Sequence, residues 1–235
     1  MAPATADSPV AVALEGVGRA YGERVALRDV TFALPEGATV AVFGANGAGK
    51  TTLLRILATL LRPHAGTATV LGALLPREAW KARGRLGLLG HEPLLYRDLS
   101  ARENLRYHAR LHRVEPARAD ALLERVGLAA RADDPVRTLS RGMAQRAAIC
   151  RAVLHEPALL LLDEPLANLD PGAAEAVEPL IGRNAVPTHP ARVVISHDVK
   201  HGLAEADLVL GLKAGRPALL EPAGSVTAAD VRGLY

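Results

Sequence analysis

Gly44-Ala45-Asn46-Gly47-Ala48-Gly49-Lys50-Thr51 is the stretch on which the fold turns. It fits the phosphate-loop pattern G-x-x-x-x-G-K-[ST] at each specified position. Thr39 to Phe43, just before it, is β-branched and apolar and reads as a strand. Thr52 to Leu61, just after it, places Leu53, Ile56, Leu57 and Leu60 on one helical stripe. Strand, glycine loop and helix therefore arrive in the order that phosphate binding requires. The glycines let the backbone curl until several N–H groups point at one anion. The helix N-terminus adds its partial positive charge at the same place. Gly44 to Thr51, with the adjoining Thr52, are thus expected to hold phosphates. Lys50 reaches the β- and γ-phosphates, and the Thr51 hydroxyl binds Mg²⁺. A glycine-rich turn that binds nothing would not need this strand and this helix around it.

The chain has 235 residues, enough for one large α/β domain or two small ones, and 49% hydrophobic residues supply a sizeable core. Apolar runs such as Ala158 to Leu162 are too short to cross a bilayer. Val10 to Leu14 has no basic stretch ahead of it and is followed by Glu15, so a first strand is expected there rather than a signal peptide. The net charge of +3 is spread out and aromatic residues are only 3%. Nucleic-acid binding, which wants a basic patch with stacking platforms, is not expected. The single cysteine, Cys150, rules out an intrachain disulfide and fits a reducing compartment. It shares a helical stripe with Met143, Ala147 and Leu154, which predicts a core position.

Strands are predicted at Val10–Leu14, Val25–Leu27, Thr31–Leu34 and Thr67–Leu71, with Gly and Pro-Glu-Gly punctuation between them. From Ser100 to His155 the pattern is nearly all helix. Ser100 and Glu103 form an S-x-x-E capping box, a second helix runs from Pro116 to Val126 with Gly127 as its stop, and a third begins near Gly142. Strand–helix alternation then returns, with strands at Leu159–Leu162, Val193–Ile195 and Leu208–Leu212. The simplest reading is an α/β core interrupted by a helical insert, with no internal repeat and no further C-terminal domain expected.

Leu159 to Leu162 runs into Asp163 and Glu164. A buried strand ending in two acids lifts them beside the phosphates. Asp163 is expected to hold Mg²⁺ and Glu164 to polarise an attacking water. Leu139-Ser140-Arg141-Gly142-Met143 opens the third helix, and Ser and Gly at a helix start make another anion-ready terminus.

Together these motifs resemble the nucleotide-binding subunits of ATP-binding-cassette (ABC) transporters over nearly the whole length. The resemblance implies a P-loop NTPase fold: a RecA-like mixed sheet flanked by helices, an N-terminal antiparallel β part and a helical subdomain. The core is then 1–90 with 156–235, and the insert 91–155. Leu139 to Met143 is similar to the family's Leu-Ser-Gly-Gly-Gln signature, with Arg141 and Met143 as departures. Ser140 and Gly142 would contact the γ-phosphate of an ATP held by a second, head-to-tail subunit. Tyr21 falls where an aromatic stacks on adenine. Asp170, in Leu166 to Asp170, matches the loop that meets the partner subunit, and His197 matches the switch histidine that holds the γ-phosphate and water.

His91, in Gly90-His91-Glu92-Pro93, stands where the family usually has a glutamine that contacts Mg²⁺ or water. That slot, followed by Leu-Ser-Ala-Arg-Glu-Asn-Leu, looks like the haem-exporter subunits of cytochrome c maturation. Drug, lipid and antibiotic exporters share much of the region. The resemblance implies an Mg-ATP-hydrolysing homodimer or paired dimer, peripheral on the cytoplasmic face of the inner membrane, working with separate membrane permeases. A soluble cassette ATPase acting on ribosomes or DNA, and a small-molecule kinase, are the other readings. Dispersed basic residues speak against the first, and Ser140 to Gly142 with His197 against the second.

Overall fold

The computed structural model describes residues 9–185 and 189–235. Among these, β1 (Val10–Tyr21), β2 (Arg24–Pro35), β4 (Ala65–Val70) and β5 (Ala73–Leu75) form a four-stranded antiparallel sheet in the order β2-β1-β4-β5. A six-stranded sheet runs β10-β9-β3-β8-β7-β6. Its strands are β3 (Thr39–Phe43), β6 (Leu86–Leu89), β7 (Leu159–Asp163), β8 (Ala191–Ile195), β9 (Leu208–Lys213) and β10 (Arg216–Pro222). All neighbours are parallel except β10, which pairs antiparallel with β9. β3 and β7 are buried at every residue, as expected of parallel strands covered on both faces.

β7 divides two cores. Leu159 and Leu161 pack with the antiparallel sheet and α1 (Lys50–Leu57), whereas Leu160 and Leu162 pack with the helical insert. The insert comprises α3 (Ala101–His112), α4 (Ala117–Arg125) and α5 (Arg141–Val153). α2 (Ala79–Arg83), α6 (Pro171–Ile181), α7 (Val199–Glu205) and α8 (Ala228–Arg232) complete the helices longer than one turn.

Local chemistry fixes the insert. The capping box forms: the Glu103 N–H donates to Ser100 Oγ at 3.1 Å and the Ser100 N–H to Glu103 Oε2 at 2.7 Å. Asn104 is fully buried. Its Oδ1 accepts from the Tyr96 N–H at 2.8 Å, and its Nδ2 donates to the carbonyls of Tyr96 at 3.0 Å and Ser100 at 2.8 Å. One side chain thereby holds the loop that enters the insert. Arg102 joins Asp120 and Asp133, tying α3 to α4 and to the polar stretch before α5.

Three sequence expectations shift. The helix predicted to run to Leu61 ends at Leu57, because Thr59 takes φ of 62° and the N–H groups of Leu60 and Leu61 turn back to the Arg55 carbonyl. Leu60 is accordingly 62% exposed rather than on the buried stripe. The strands predicted at Val25–Leu27 and Thr31–Leu34 are one strand, β2, with a kink at Asp29, where φ is 56°. β1 likewise continues past Leu14 to Tyr21 through an irregularity at Gly16, whose N–H donates to Thr31 Oγ1 at 2.8 Å. Cys150 is fully buried as predicted, and burial pushes its thiol up to about 12.

Where the insert meets the core, the rings of His112 and His155 stack at 3.9 Å. His155 Nε2 lies 2.9 Å from the Leu86 carbonyl, and Arg151 Nη2 donates to the Leu88 carbonyl at 2.5 Å. Burial, reinforced by neighbouring positive charge, pushes His108 and His155 down to about 4 and lowers His112 as well. The ordinary value is 6.5, so the unfolded chain takes up these protons first as pH falls. Stability from the seam is complete above pH 6.5 and is lost progressively toward pH 4. Urea midpoints measured between about pH 7.5 and 5 should therefore fall, and His155→Gln should flatten the slope. Asn104→Ala should cost about 1–3 kcal/mol in the same assay, since the Tyr96 N–H loses its acceptor while the Ser100 carbonyl keeps only the backbone N–H of residue 104.

Candidate functional site

The glycine loop is wedged between the two sheets. Gly44 has φ of 141° and Gly49 φ of 107°, conformations that suit glycine alone. A Cβ on Gly44 would lie 2.2 Å from the Leu212 carbonyl oxygen of β9, and one on Gly49 2.4 Å from the Ala26 carbonyl oxygen of β2. Gly215, in the β9–β10 turn, donates its N–H to the Ala48 carbonyl at 3.1 Å. The loop is held from both sides before any ligand arrives.

Lys50, the first residue of α1, is only 7% exposed. Its Nζ donates to the Gly44 carbonyl at 2.5 Å and the Ala45 carbonyl at 3.1 Å. Burial lowers its pKa, and the charges of Glu164 and Asp163 oppose that shift. Next to it, Thr51 Oγ1 donates to Asp163 Oδ2 at 3.3 Å. Asp163 is 5% exposed, and burial raises its pKa against the pull of Thr51, His91 and Lys50. A desolvated carboxylate beside a hydroxyl is a hard-oxygen donor pair, which fits Mg²⁺ supplemented by water and phosphate oxygens. Among the described residues no cluster of three or more His, Cys, Asp or Glu offers a larger metal cage.

β7 and β8 run in parallel with Asp163 opposite Ile195, so the residues that follow each strand emerge side by side. Glu164 takes φ of 52° and donates its N–H to the Ile195 carbonyl at 3.0 Å. This turn brings Glu164 Oε1 to 2.9 Å from His197 Nε2. Tyr21 closes the other end of the site. It ends β1 directly opposite Arg24, is 44% exposed, and has the Arg19 guanidinium 5.0 Å from its ring centre.

These residues face one cleft of about 680 Å³, large enough for a nucleotide. Tyr21, Asn46, Lys50, Thr51 and Thr52 line it together with His91, Asp163, Glu164 and His197. Arg24 and Arg55 line it too, and sequence reasoning missed both. The available signal was the Tyr21-Gly22-Glu23-Arg24 spacing, which is that of a two-residue hairpin turn.

Ser140, Gly142 and Asp170 are not among the lining residues. Ser140 is exposed and caps α5, its Oγ accepting the Met143 N–H at 3.2 Å. Asp170 is exposed and caps α6, accepting the Ala173 N–H at 2.9 Å. Gly142 packs so closely on the loop after Glu164 that a Cβ would lie 2.9 Å from the Asn168 carbonyl oxygen. Buried Gln145 donates Nε2 to the Pro165 carbonyl at 3.1 Å. The three residues thus belong to one packed surface, built on α5, α6 and the loop between Glu164 and Pro171.

The family model described as ABC transporter matches residues 27–167. The chain is 43% identical over 180 residues to the daunorubicin resistance ATP-binding protein DrrA3 of Streptomyces coeruleorubidus, covering 73% of this chain and 57% of that one. It is 36% identical over 241 residues to the phosphonates import ATP-binding protein PhnC of Anaeromyxobacter dehalogenans, covering 96% and 48%. The chain therefore spans about half the length of these curated relatives. A solved dimeric structure, described as a post-hydrolysis state of the ATP-binding cassette MJ0796 bound to ADP and Pi, superposes with a TM-score of 0.82 at 27% identity, over 90% of this chain and 98% of that one.

Replacing Gly49 with alanine forces a Cβ toward the Ala26 carbonyl. Nucleotide affinity, measured by titration with a fluorescent ATP analogue, should drop by about tenfold or more, the cost of one strained backbone position. An unchanged affinity with an unchanged circular dichroism spectrum would separate phosphate binding from this loop.

Proposed function

The chain belongs to the ABC transporter family, and from that footing we propose that it is an ATP-binding and ATP-hydrolysing subunit that drives transport through separate membrane proteins. One observation carries the reading. The cleft gathers base, phosphate, metal and water-activating groups, while Ser140, Gly142 and Asp170 sit on another surface of the same protomer. A second copy docked head to tail brings that surface to the open side of the cleft. The dimeric description of the structural relative supports this arrangement.

Adenine stacks on Tyr21, and the phosphates lie along Gly44 to Thr52. Lys50 exchanges its two loop carbonyls for phosphate oxygens. Mg²⁺, held by Thr51 and Asp163 with His91 near by, would supply charge neutralisation for the transferring group. Glu164 polarises the attacking water, and His197, bonded to Glu164, fixes the in-line geometry and meets the γ-phosphate. Ser140 and Gly142 of the second copy reach the same γ-phosphate, and Asp170 meets its partner across the seam. Losing that phosphate removes what both copies share, and the pair loosens. The insert, residues 91–155, relays the change to membrane subunits. Among the described residues no helix is long and apolar enough to span a bilayer. A peripheral position on the cytoplasmic face of the inner membrane follows from the proposed partners.

The direction of transport is read as export. Gly90-His91-Glu92-Pro93 supports haem export in cytochrome c maturation. Likeness to a daunorubicin resistance protein supports a second reading, export of a drug, lipid or antibiotic. Depletion of c-type cytochromes on deletion of the gene decides for the first, and intact levels for the second.

Glu164→Gln tests the chemistry. It should retain ATP binding, lose turnover by about a hundredfold or more, and run as a dimer in ATP on size exclusion. Wild-type turnover in this variant removes Glu164 from its role.

A further inference from the structure

The β1–β2 hairpin does more than present a ring. Tyr21 and Arg24 are direct cross-strand partners on either side of a turn in which Gly22 takes φ of 58°. Directly opposed residues project from the same face of an antiparallel pair. Both line the cleft. Arg24 extends from the hairpin across to the phosphate loop, where its Nη2 lies 3.2 Å from the point a Cβ on Gly47 would occupy. Arg102, Arg118, Arg183 and Arg192 each hold a carboxylate. Arg24 holds none among the described residues. An exposed guanidinium over a glycine of an anion-binding loop, with no acid of its own, is placed to receive an anion.

We propose that Arg24 is a further nucleotide-binding residue, whose guanidinium closes over the phosphate chain while Tyr21, its hairpin partner, holds the base. The inference rests on the nucleotide reading of the cleft and extends it. A guanidinium offers several donors in a flat fork, so it can grip phosphate oxygens from the side opposite the backbone N–H groups. The hairpin then acts as one clamp, with a neutral stacking arm and a cationic arm on adjoining residues. Its tight turn fixes the spacing between the two. Gly47 is part of the device: it takes φ of 81°, and a Cβ there would stand only 3.2 Å from the guanidinium nitrogen.

The test compares Arg24→Ala and Arg24→Lys with the wild type, using calorimetric titration of adenosine, AMP, ADP and ATP. Arg24→Ala should weaken ATP by about tenfold, the worth of one partly exposed charged hydrogen bond, and leave adenosine unchanged. The step in the series at which the loss first appears marks the phosphate that Arg24 holds. Arg24→Lys, which keeps the charge but not the fork, should recover part of the loss. In steady state, KM for ATP should rise with kcat nearly constant, the mark of uniform binding. Equal weakening of adenosine and ATP, or no weakening of either, overturns the role of Arg24. Lys50→Ala is titrated alongside. If it abolishes ATP binding while Arg24→Ala changes nothing, only the role of Arg24 falls. If the wild type itself binds no ATP, the nucleotide reading falls and this inference with it.

Discussion

The structure depends on a loop that only glycine can make. Gly44 is pressed against the end of β9 and Gly49 against β2, so one short segment is where the antiparallel sheet and the central sheet meet. Arg28, in β2, donates its N–H to the Gly215 carbonyl at 2.7 Å, and Gly215 in turn holds Ala48. Closing that junction buries Lys50 and leaves its ammonium aimed at backbone carbonyls. The positive end of α1 and the loop N–H groups are thus set before ligand arrives, and the Lys50 ammonium has only to change partners.

Much of this was legible in the residues, because the motifs are contiguous and their physics is local. The loop pattern, the Leu159–Leu162 strand running into its two acids, the Ser100–Glu103 capping box and the buried Cys150 each stand where short-range reasoning put them. Elements whose logic is tertiary were harder to read. β10 contains Pro217 and Pro222 and survives as an edge strand, where a missing N–H costs little. α6 tolerates Pro179 close to its end. β6 has only four residues and owes its existence to pairing with β7. The irregularities at Gly16 and Asp29 broke the alternation that would have joined their strands. Leu60 fitted the helical period, but a left-handed Thr59 ended the helix before reaching it.

The site itself divides along the same line. His197 and Glu164 are far apart in sequence and are joined because β7 and β8 end together. The order of motifs hinted at their meeting. Arg24 belongs to no motif, and the only hint of its place was the two-residue hairpin spacing that sets it opposite Tyr21. Ser140, Gly142 and Asp170 are legible only as helix starts within one protomer, and the role proposed for them needs a second copy.

The close approach of Gly142 to the Asn168 carbonyl, with Gln145 bonded to the Pro165 carbonyl, has a mechanical result. The first turn of α5 and the peptide next to Glu164 are geared together, with no slack between them. A push on that turn from outside would reach the acid through these two contacts alone. Under the proposed head-to-tail pairing, recognition and reactivity would share one lever.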